Sequence, residues 1–446
     1  MLSLRRPRLP HLALRHYLAN VPLSTNTNHA ISVKQQLYTT DPVTPGSIFF
    51  LPHGTRIMNK LIQFMKHQQM RYGFEEVITP LIYKNQLWKT SGHWDNYRDD
   101  MFKVTGNVVH EHEDPQLHEY GLKPMNCPGH CVIFSKFERS YNEFPIRLSD
   151  FSSLHRNEAS GALSGLTRVR RFHQDDGHIF CEFDQVEDEI SNTVNLILES
   201  YKVFGIPSNE IKFTLSTRPE DKYIGEISTW EKAEEKLSNV LTNSGNSWTI
   251  NPGDGAFYGP KIDVQLTDAF GKAHQVGTIQ LDFQLPARFD LKYIDKHGSR
   301  ENRPIMIHRA VFGSLERFFA ILLDHYQGKW PFWLNPRQAL IIPVNDSHVS
   351  AAQEIKKQIS GDIVSKTDIA PMTGHNFFID IDSRSETVGI RIKDAIQKGY
   401  SYILMVGDKD IQNGTVACRT LTSRKVENMT PKALLERFIS HEINYE

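Results

Sequence analysis

The strongest constraint on the fold of this chain is a break in its patterning at Trp330–Pro336, where Pro331 and Pro336 interrupt both helix and strand. Beyond the break, short apolar strands alternate with helices. Ala339–Val344 reads as a strand, followed by a helix around 348–359, strands at 376–380 and 401–406, and helices at 387–398 and 431–443. That alternation predicts a small α/β domain over residues 334–446. Before the break the pattern mixes longer helices with strand pairs. Residues 55–72 place Ile57, Leu61, Ile62, Phe64 and Met65 at helical spacing, with Gly73 as the C-cap. Phe74–Ile82 reads as a strand that Pro80 confines to an edge or a bulge. Residues 146–158 and 169–181 read as strands joined by the loop Ala159–Thr167. Helices are expected at 186–204, 229–241 and 311–326, and strands over 257–283 with a turn at Asp268–Gly271. The fold class is α+β for this body, residues 31–333, with the α/β domain after it.

Charge is distributed unevenly. The chain has 446 residues, 51 basic and 52 acidic, for a formal net charge of −1. Residues 1–40 hold Arg5, Arg6, Arg8, Arg15 and Lys34 and no acid, so the rest carries 46 basic against 52 acidic side chains. An Arg-rich, acid-free start with Leu, Ser and Thr matches a mitochondrial targeting segment, assigned to residues 1–30, and implies the mitochondrial matrix. A basic tail without that role is the alternative. An apolar fraction of 39% with 23% charged residues excludes a wholly disordered chain. Four cysteines do not make a disulfide scaffold. No apolar run approaches the length of a membrane span, so no membrane partner is expected.

Three segments carry chemistry. In Phe151-Ser-Ser-Leu-His-Arg156-Asn-Glu158, a side-chain period of two puts Arg156 and Glu158 on one face. A guanidinium there suits a phosphate, whose oxygens its planar fork can bind in pairs; a surface ion pair is the other reading. In Gly313-Ser-Leu-Glu-Arg317, an arginine enters an apolar helix and requires a partner, either an anionic ligand or a structural carboxylate. Cys127, His130 and Cys131, with Asp176, His178 and Cys181, cluster soft ligands. Spacing alone favours Cys127, Cys131, His178 and Cys181 as a closed zinc site, or else ordinary buried cysteines.

Together these segments resemble the signature motifs of class II aminoacyl-tRNA synthetases, and the threonyl-tRNA synthetases most closely. The strings are Gly92-His-Trp-Asp-Asn-Tyr97, Lys123-Pro-Met-Asn-Cys-Pro-Gly-His130, Arg156-Asn-Glu158, Gln174-Asp-Asp-Gly-His-Ile-Phe180, Tyr258-Gly-Pro-Lys-Ile-Asp263, Gly277-Thr-Ile-Gln-Leu-Asp-Phe283 and Ile307-His-Arg-Ala310. The resemblance spans residues 31–446. It implies an antiparallel sheet flanked by helices, then an anticodon-binding domain, and a homodimer formed around Pro80. It also implies a threonine–tRNA ligase acting on ATP, L-threonine and mitochondrial tRNA(Thr). Alternatives are a class II ligase for another amino acid and a non-catalytic synthetase-like tRNA-binding protein.

The resemblance implies residue roles as well. Arg156 would hold the α-phosphate and the threonine carboxylate, Glu158 the adenine amino group, Arg168 and Arg317 the γ-phosphate, and Phe172 would stack on adenine. Magnesium would accompany ATP. Cys127, His178 and His308 would bind one zinc ion per subunit, which replaces the spacing-based set and leaves Cys131 and Cys181 as packing residues. Asp176 would accept the threonine hydroxyl. Gln174, Tyr258, Lys261, Gln275 and Gln280 match positions lining the same pocket, with Gln275 on the ATP side. His93 matches a histidine that assists proton movement at the terminal ribose, and Arg156, His93, Lys261 and Arg317 form the catalytic set.

The chain departs from the family text at several points. Ala159 replaces a proline, Arg171 stands where glycine is common, and Ser385 stands where asparagine is common for anticodon reading. Gly106–Tyr120 is longer than expected and has no assigned role. Arg419 is expected near an anticodon base. With only about 50 residues ahead of the catalytic domain, an N-terminal editing domain is not expected, so serine activation is.

Overall fold

The computed structural model describes residues 27–105, 119–221, 223–267, 273–361, 374–421, 423 and 425–446. Most of the expected targeting segment, nearly all of the Gly106–Tyr120 stretch and the turn expected at Asp268–Gly271 lie outside them.

The body is organised by one eight-stranded sheet. Its strands in chain order are β1 (Glu75–Glu76), β2 (Ile146–Asp150), β3 (Asp176–Cys181), β4 (Ile211–Ser216), β5 (Trp248–Asn251), β6 (Lys261–Thr267), β7 (Ala273–Asp282) and β8 (Ile305–Ala310). They lie side by side as β5-β4-β6-β7-β8-β3-β2-β1. Neighbours from β4 to β2 are antiparallel, and the two outermost pairs, β4/β5 and β1/β2, are parallel.

Alternation along the strands sorts side chains onto two faces. Ile179 and Cys181 of β3, Ile262, Val264 and Leu266 of β6, Ile279 and Leu281 of β7, and Ile305 and Ile307 of β8 all enter the main core. That core is closed by α1 (Thr27–Gln35), α2 (Pro52–Arg71), α4 (Val186–Val203), α5 (Ile227–Asn243) and α6 (Leu315–Tyr326), while α3 (Cys127–Phe134) packs on the opposite face. At its centre Phe204 meets Phe64, Phe312, Phe318 and Trp333 at ring distances of 5.2–5.7 Å. The opposite face holds a smaller cluster in which Phe180 and Met306 pack against Cys131 and Phe134 of α3.

The expected helices form with shifts of a few residues at their ends. The strand expected over Phe74–Ile82 does not run through: only Glu75–Glu76 joins the main sheet, and Ile82–Lys84 pairs in a separate three-stranded sheet. Pro80 lies between them and lacks the N–H a ladder needs. Strand β8 was not anticipated. It is buried on both faces, so its sequence shows no alternation, and His308 and Arg309 disguise the apolar run.

The second domain is a five-stranded mixed sheet. Its strands β9 (Ala339–Pro343), β10 (Ile379–Ile381), β11 (Tyr402–Val406), β12 (Val416–Thr420) and β13 (Glu427–Met429) lie in the order β10-β9-β11-β12-β13. Helices α7 (Val349–Ile359), α8 (Val388–Lys398) and α9 (Pro431–Ile443) accompany it. The last three strands form an antiparallel meander on a parallel start, where only alternating strands and helices were expected. Arg337 ties the junction by donating to the Gln35 carbonyl at 2.7 Å, and Arg56 donates to the Pro336 carbonyl at 2.8 Å. Helix α1 packs against α6, where Asn28 donates to the Asp324 carboxylate at 2.9 Å.

Candidate active site

The face opposite the main core carries the polar row. His178 of β3 lies directly across from His308 of β8, His308 across from Gln280 of β7, and Gln280 across from Lys261 of β6. Antiparallel registry thus brings together residues far apart in sequence, which spacing could not do.

Helix α3 ends this row. Its first residue, Cys127, meets the two histidines, and the ligand atoms of Cys127, His178 and His308 lie within 4.8 Å of one another. His178 Nε2 faces His308 Nδ1 at 3.0 Å. The outer ring nitrogens are engaged: His178 Nδ1 meets His130 Nδ1 at 2.8 Å, and His308 Nε2 meets the Asp282 carboxylate at 2.8 Å. Such partners fix ring orientation and tautomer at metal sites. Burial, with His130 and His308 beside it, holds the His178 pKa well below its ordinary value, so the ring is a neutral donor. Burial pushes the Cys127 thiol well up, so a metal would have to displace its proton. The donors fit a zinc ion with one open position.

The spacing-based set fails for a geometric reason. His178 and Cys181 are three residues apart on one strand and so face opposite sides of the sheet. Cys181 lies in the main core, and Cys131 points its sulfur at Met306 at 3.8 Å.

Beside the cluster opens a cavity of about 450 Å³. It is lined by Cys127, Arg156, Glu158, Arg168, Phe172, Gln174, Asp176, His178, Tyr258, Gln275, Gln280, His308 and Arg317. Asp176 faces this space with its pKa raised to about 6 by burial, which leaves it mostly ionised at pH 7 and above. Tyr258 donates to Gln280 Oε1 at 2.6 Å.

The far end of the cavity belongs to three arginines. The strand expected through Glu158 ends earlier, at His155, in a short ribbon pairing Ser153–His155 with Arg171–His173. Arg156–Glu158 is a turn, in which the Glu158 N–H donates to the Arg156 carbonyl at 2.9 Å. Both side chains still line the cavity. The Arg156 guanidinium stands 5.1 Å from the centre of the Phe172 ring. Arg168 pairs with Glu158 at 2.7 Å. Arg317 donates to the carbonyls of Thr167 and Gln275 at 3.1 and 3.0 Å, and Ser314 caps its helix. Gly313 precedes that cap at φ +64°, and a Cβ there would come within 2.2 Å of the Val276 carbonyl oxygen. Burial lowers the Arg317 pKa, and so do Arg156 and Arg168. Like charges gathered this closely suit a polyanionic ligand.

Two predicted residues stand outside the cavity wall. His93 is buried, with Nδ1 at 2.7 Å from Ser91 Oγ and its ring 6.0 Å from that of Tyr97, which does line the cavity. Burial lowers its pKa to about 4, so it is neutral. Lys261 pairs with Asp263 at 3.0 Å and Asp254 at 3.2 Å. Burial alone would lower its pKa, but these carboxylates outweigh that and raise it. Sequence reasoning missed Tyr97, Asp100, Thr278 and Arg309 as wall residues. Thr278 follows from the period of two before Gln280; the others carry no such signal. In the second domain Ser385 is exposed, and the Arg419 Nε is buried without a hydrogen-bond partner among the described residues.

Comparison with known proteins agrees with this geometry. Residues 103–326 match the tRNA synthetase class II core domain (G, H, P, S and T), and residues 338–441 match the anticodon binding domain. The chain is 54% identical over 430 residues to the mitochondrial threonine–tRNA ligase of Saccharomyces cerevisiae, covering 93% of this chain and 91% of that protein. It is 48% identical to the probable mitochondrial threonine–tRNA ligase of Schizosaccharomyces pombe, with 94% and 90% covered. Among solved structures, a threonyl-tRNA synthetase RNA-binding domain from Cryptosporidium parvum superposes with a TM-score of 0.83 at 41% identity, covering 93% of this chain and 98% of that one. This chain belongs to the threonyl-tRNA synthetases, within class II of the aminoacyl-tRNA synthetases.

Proposed function

We propose a division of labour within the cavity of a threonine–tRNA ligase of the mitochondrial matrix. The chain activates threonine with ATP to threonyl-adenylate and pyrophosphate, then transfers threonine to the 3′ end of tRNA(Thr). One observation carries the residue assignment: three arginines and a Cys-His-His cluster open into the same cavity.

The threonine carboxylate attacks the α-phosphorus of ATP. Arg156 binds the α-phosphate and that carboxylate, and stabilises the charge that develops between them. Phe172 presents a ring for adenine, Glu158 an acceptor for its amino group, and Gln275 a polar side chain on the same side. Arg168 and Arg317 hold the γ-phosphate until pyrophosphate leaves. Magnesium would accompany ATP and neutralise charge on its phosphates. Cys127, His178 and His308 would hold zinc, which when bound offers an open coordination position to the amino and hydroxyl groups of threonine. Asp176 accepts a hydrogen bond from the hydroxyl, while Gln174, Tyr258 and Gln280 close the pocket around the side chain. Lys261, held by Asp263 and Asp254, supplies a fixed positive charge at the end of the row. In the transfer step the terminal ribose hydroxyl attacks the adenylate carbonyl and the carbonyl–phosphate bond breaks to release AMP, while neutral His93, behind Tyr97, assists the hydroxyl proton. Threonylation of a tRNA(Thr) transcript by purified protein tests this reading, and absence of charging overturns it.

Selectivity follows from the hydroxyl. Valine offers Asp176 no hydroxyl and is expected to be rejected by about 10⁴-fold or more. Serine lacks only a methyl group and is expected to be activated within about 10–200-fold of threonine. Pyrophosphate exchange with the three amino acids checks this, and serine rejected as thoroughly as valine contradicts it.

Support for a homodimer comes from the surface around Pro80. Ile78 is 87% and Met70 67% exposed, with Leu81 and Ile82 also exposed. Replacing both Ile78 and Leu81 by aspartate is expected to shift the sedimenting mass from two chains to one. A wild-type protein that sediments as one chain contradicts the assignment.

A further inference from the structure

The Asp176 carboxylate is the group that separates threonine from valine in the reading above, yet its own chain does little to orient it. Rotation about the last bond of an aspartate is broad and two-fold, so no intrinsic preference fixes the plane of the carboxylate. An acceptor that must meet one hydroxyl at one position needs that plane held.

Asn126 provides the hold. Its side chain is buried, 1% exposed, and its amide Nδ2 donates to Asp176 Oδ2 at 3.1 Å. Among the described residues it is the only side chain that donates a hydrogen bond to this carboxylate. The other oxygen, Oδ1, faces His178 Nε2 at 3.8 Å, the ring nitrogen that also faces His308. One oxygen is thus anchored from behind and the other is presented to the ligand cluster. The amide orientation follows from its partner, because the carbonyl end of Asn126 would repel a carboxylate. The Asn126 carbonyl itself is buried without a partner among the described residues, so within them the side chain is tied by its bond to Asp176.

Position in the fold makes this a coupled device. Asn126 is the residue before α3, and the next residue is Cys127. Asp176 and His178 are two apart on β3 and share a face. The start of the helix therefore supplies both the thiol of the cluster and the clamp on the carboxylate, and the strand supplies both of their counterparts.

We propose that Asn126 is a positioning residue for substrate selection: it sets the plane of Asp176 and so the preference for an amino acid with a β-hydroxyl. This rests on the assignment of Asp176 to the threonine hydroxyl.

The test is ATP–pyrophosphate exchange with threonine, serine and valine on Asn126→Leu, which keeps the volume without the donor, and on Asn126→Ala. Losing a hydrogen bond to a charged group is expected to lower kcat/KM for threonine and serine alike by about 10–100-fold. Valine, which makes no hydroxyl contact, keeps its value. The threonine-to-valine ratio therefore falls by that factor, while the threonine-to-serine ratio and the KM for ATP stay constant. Ratios taken within one preparation do not depend on its active fraction. An equal loss for all three amino acids marks a merely structural role and overturns the proposal. So does loss of bound zinc from the variants, since the effect then runs through Cys127. If instead the wild-type protein fails to activate threonine at all, it is the assignment of the cavity that falls.

Discussion

Replacing Arg156 by alanine is expected to slow threonine-dependent pyrophosphate exchange by about 10²–10³-fold, the cost of removing one preorganised donor from a developing charge. The geometry gives reasons for so large an effect. The Arg156 side chain spends little on the protein: Nε makes one long contact, 3.4 Å, to the Pro124 carbonyl, and the guanidinium otherwise lies over Phe172. Its remaining donors have no hydrogen-bond partner among the described residues, which leaves them for substrate. Arg317 cannot take over, because its guanidinium is held by the carbonyls of Thr167 and Gln275. Arg168 is paired with Glu158. Lysine at position 156 is expected to restore little, since a point charge does not bind two oxygens in a plane. The loss should fall on kcat more than on the KM for ATP, whose triphosphate still meets two arginines. A loss under tenfold in Arg156→Ala contradicts the role given to it.

Cys127→Ala is expected to remove threonine activation by about 10⁴-fold, the scale on which a site loses a substrate whose hydroxyl it can no longer engage. Two histidines remain, but two ligands rarely retain zinc when three protein ligands are usual for an open site. Metal analysis should find the variant depleted of zinc while the wild type carries one ion per chain. Chelation of the wild type should reproduce the loss, and readdition of zinc should reverse it. Metal uptake should also release a proton, because burial keeps the Cys127 thiol protonated until a metal takes its place. A metal-free Cys127→Ala protein that activates threonine normally would remove the cluster from the mechanism. Cys131→Ala is the matching control: its sulfur packs on Met306, so it should keep both zinc and activity.

The contrast between these two cysteines shows which parts of the site were legible in the sequence. Arg156, Glu158 and Arg317 lie in short local strings, and local text singles them out. Arg156 and Glu158 reach the cavity even though the strand ends at His155, so the expected outcome held while the expected reason, a shared strand face, did not. The metal cluster is not local. His308 enters it through registry with His178 on a strand that was not anticipated, and spacing favoured Cys181, which the pleat sends to the other side of the sheet. Only resemblance to a family supplied His308. The same limit applies to Asn126, whose importance depends on its bond to a residue 50 positions away. In the fold at large, helices with a clear apolar stripe were readable. Strands buried on both faces, such as β8, were not, because burial on both sides erases the alternation that marks a strand.

The partition of charge is also sharpened by the structure. A body with more acids than bases gathers three arginines at one cavity, so an anionic ligand would be met by their placement rather than by net charge. Placement rather than total charge determines this kind of recognition.

The central claim is that one cavity joins ATP and threonine, and pyrophosphate exchange by the zinc-loaded protein tests it most directly. The account predicts exchange with threonine, weaker exchange with serine, and almost none with valine or proline. Exchange that is absent with threonine, or equal with valine, would contradict it.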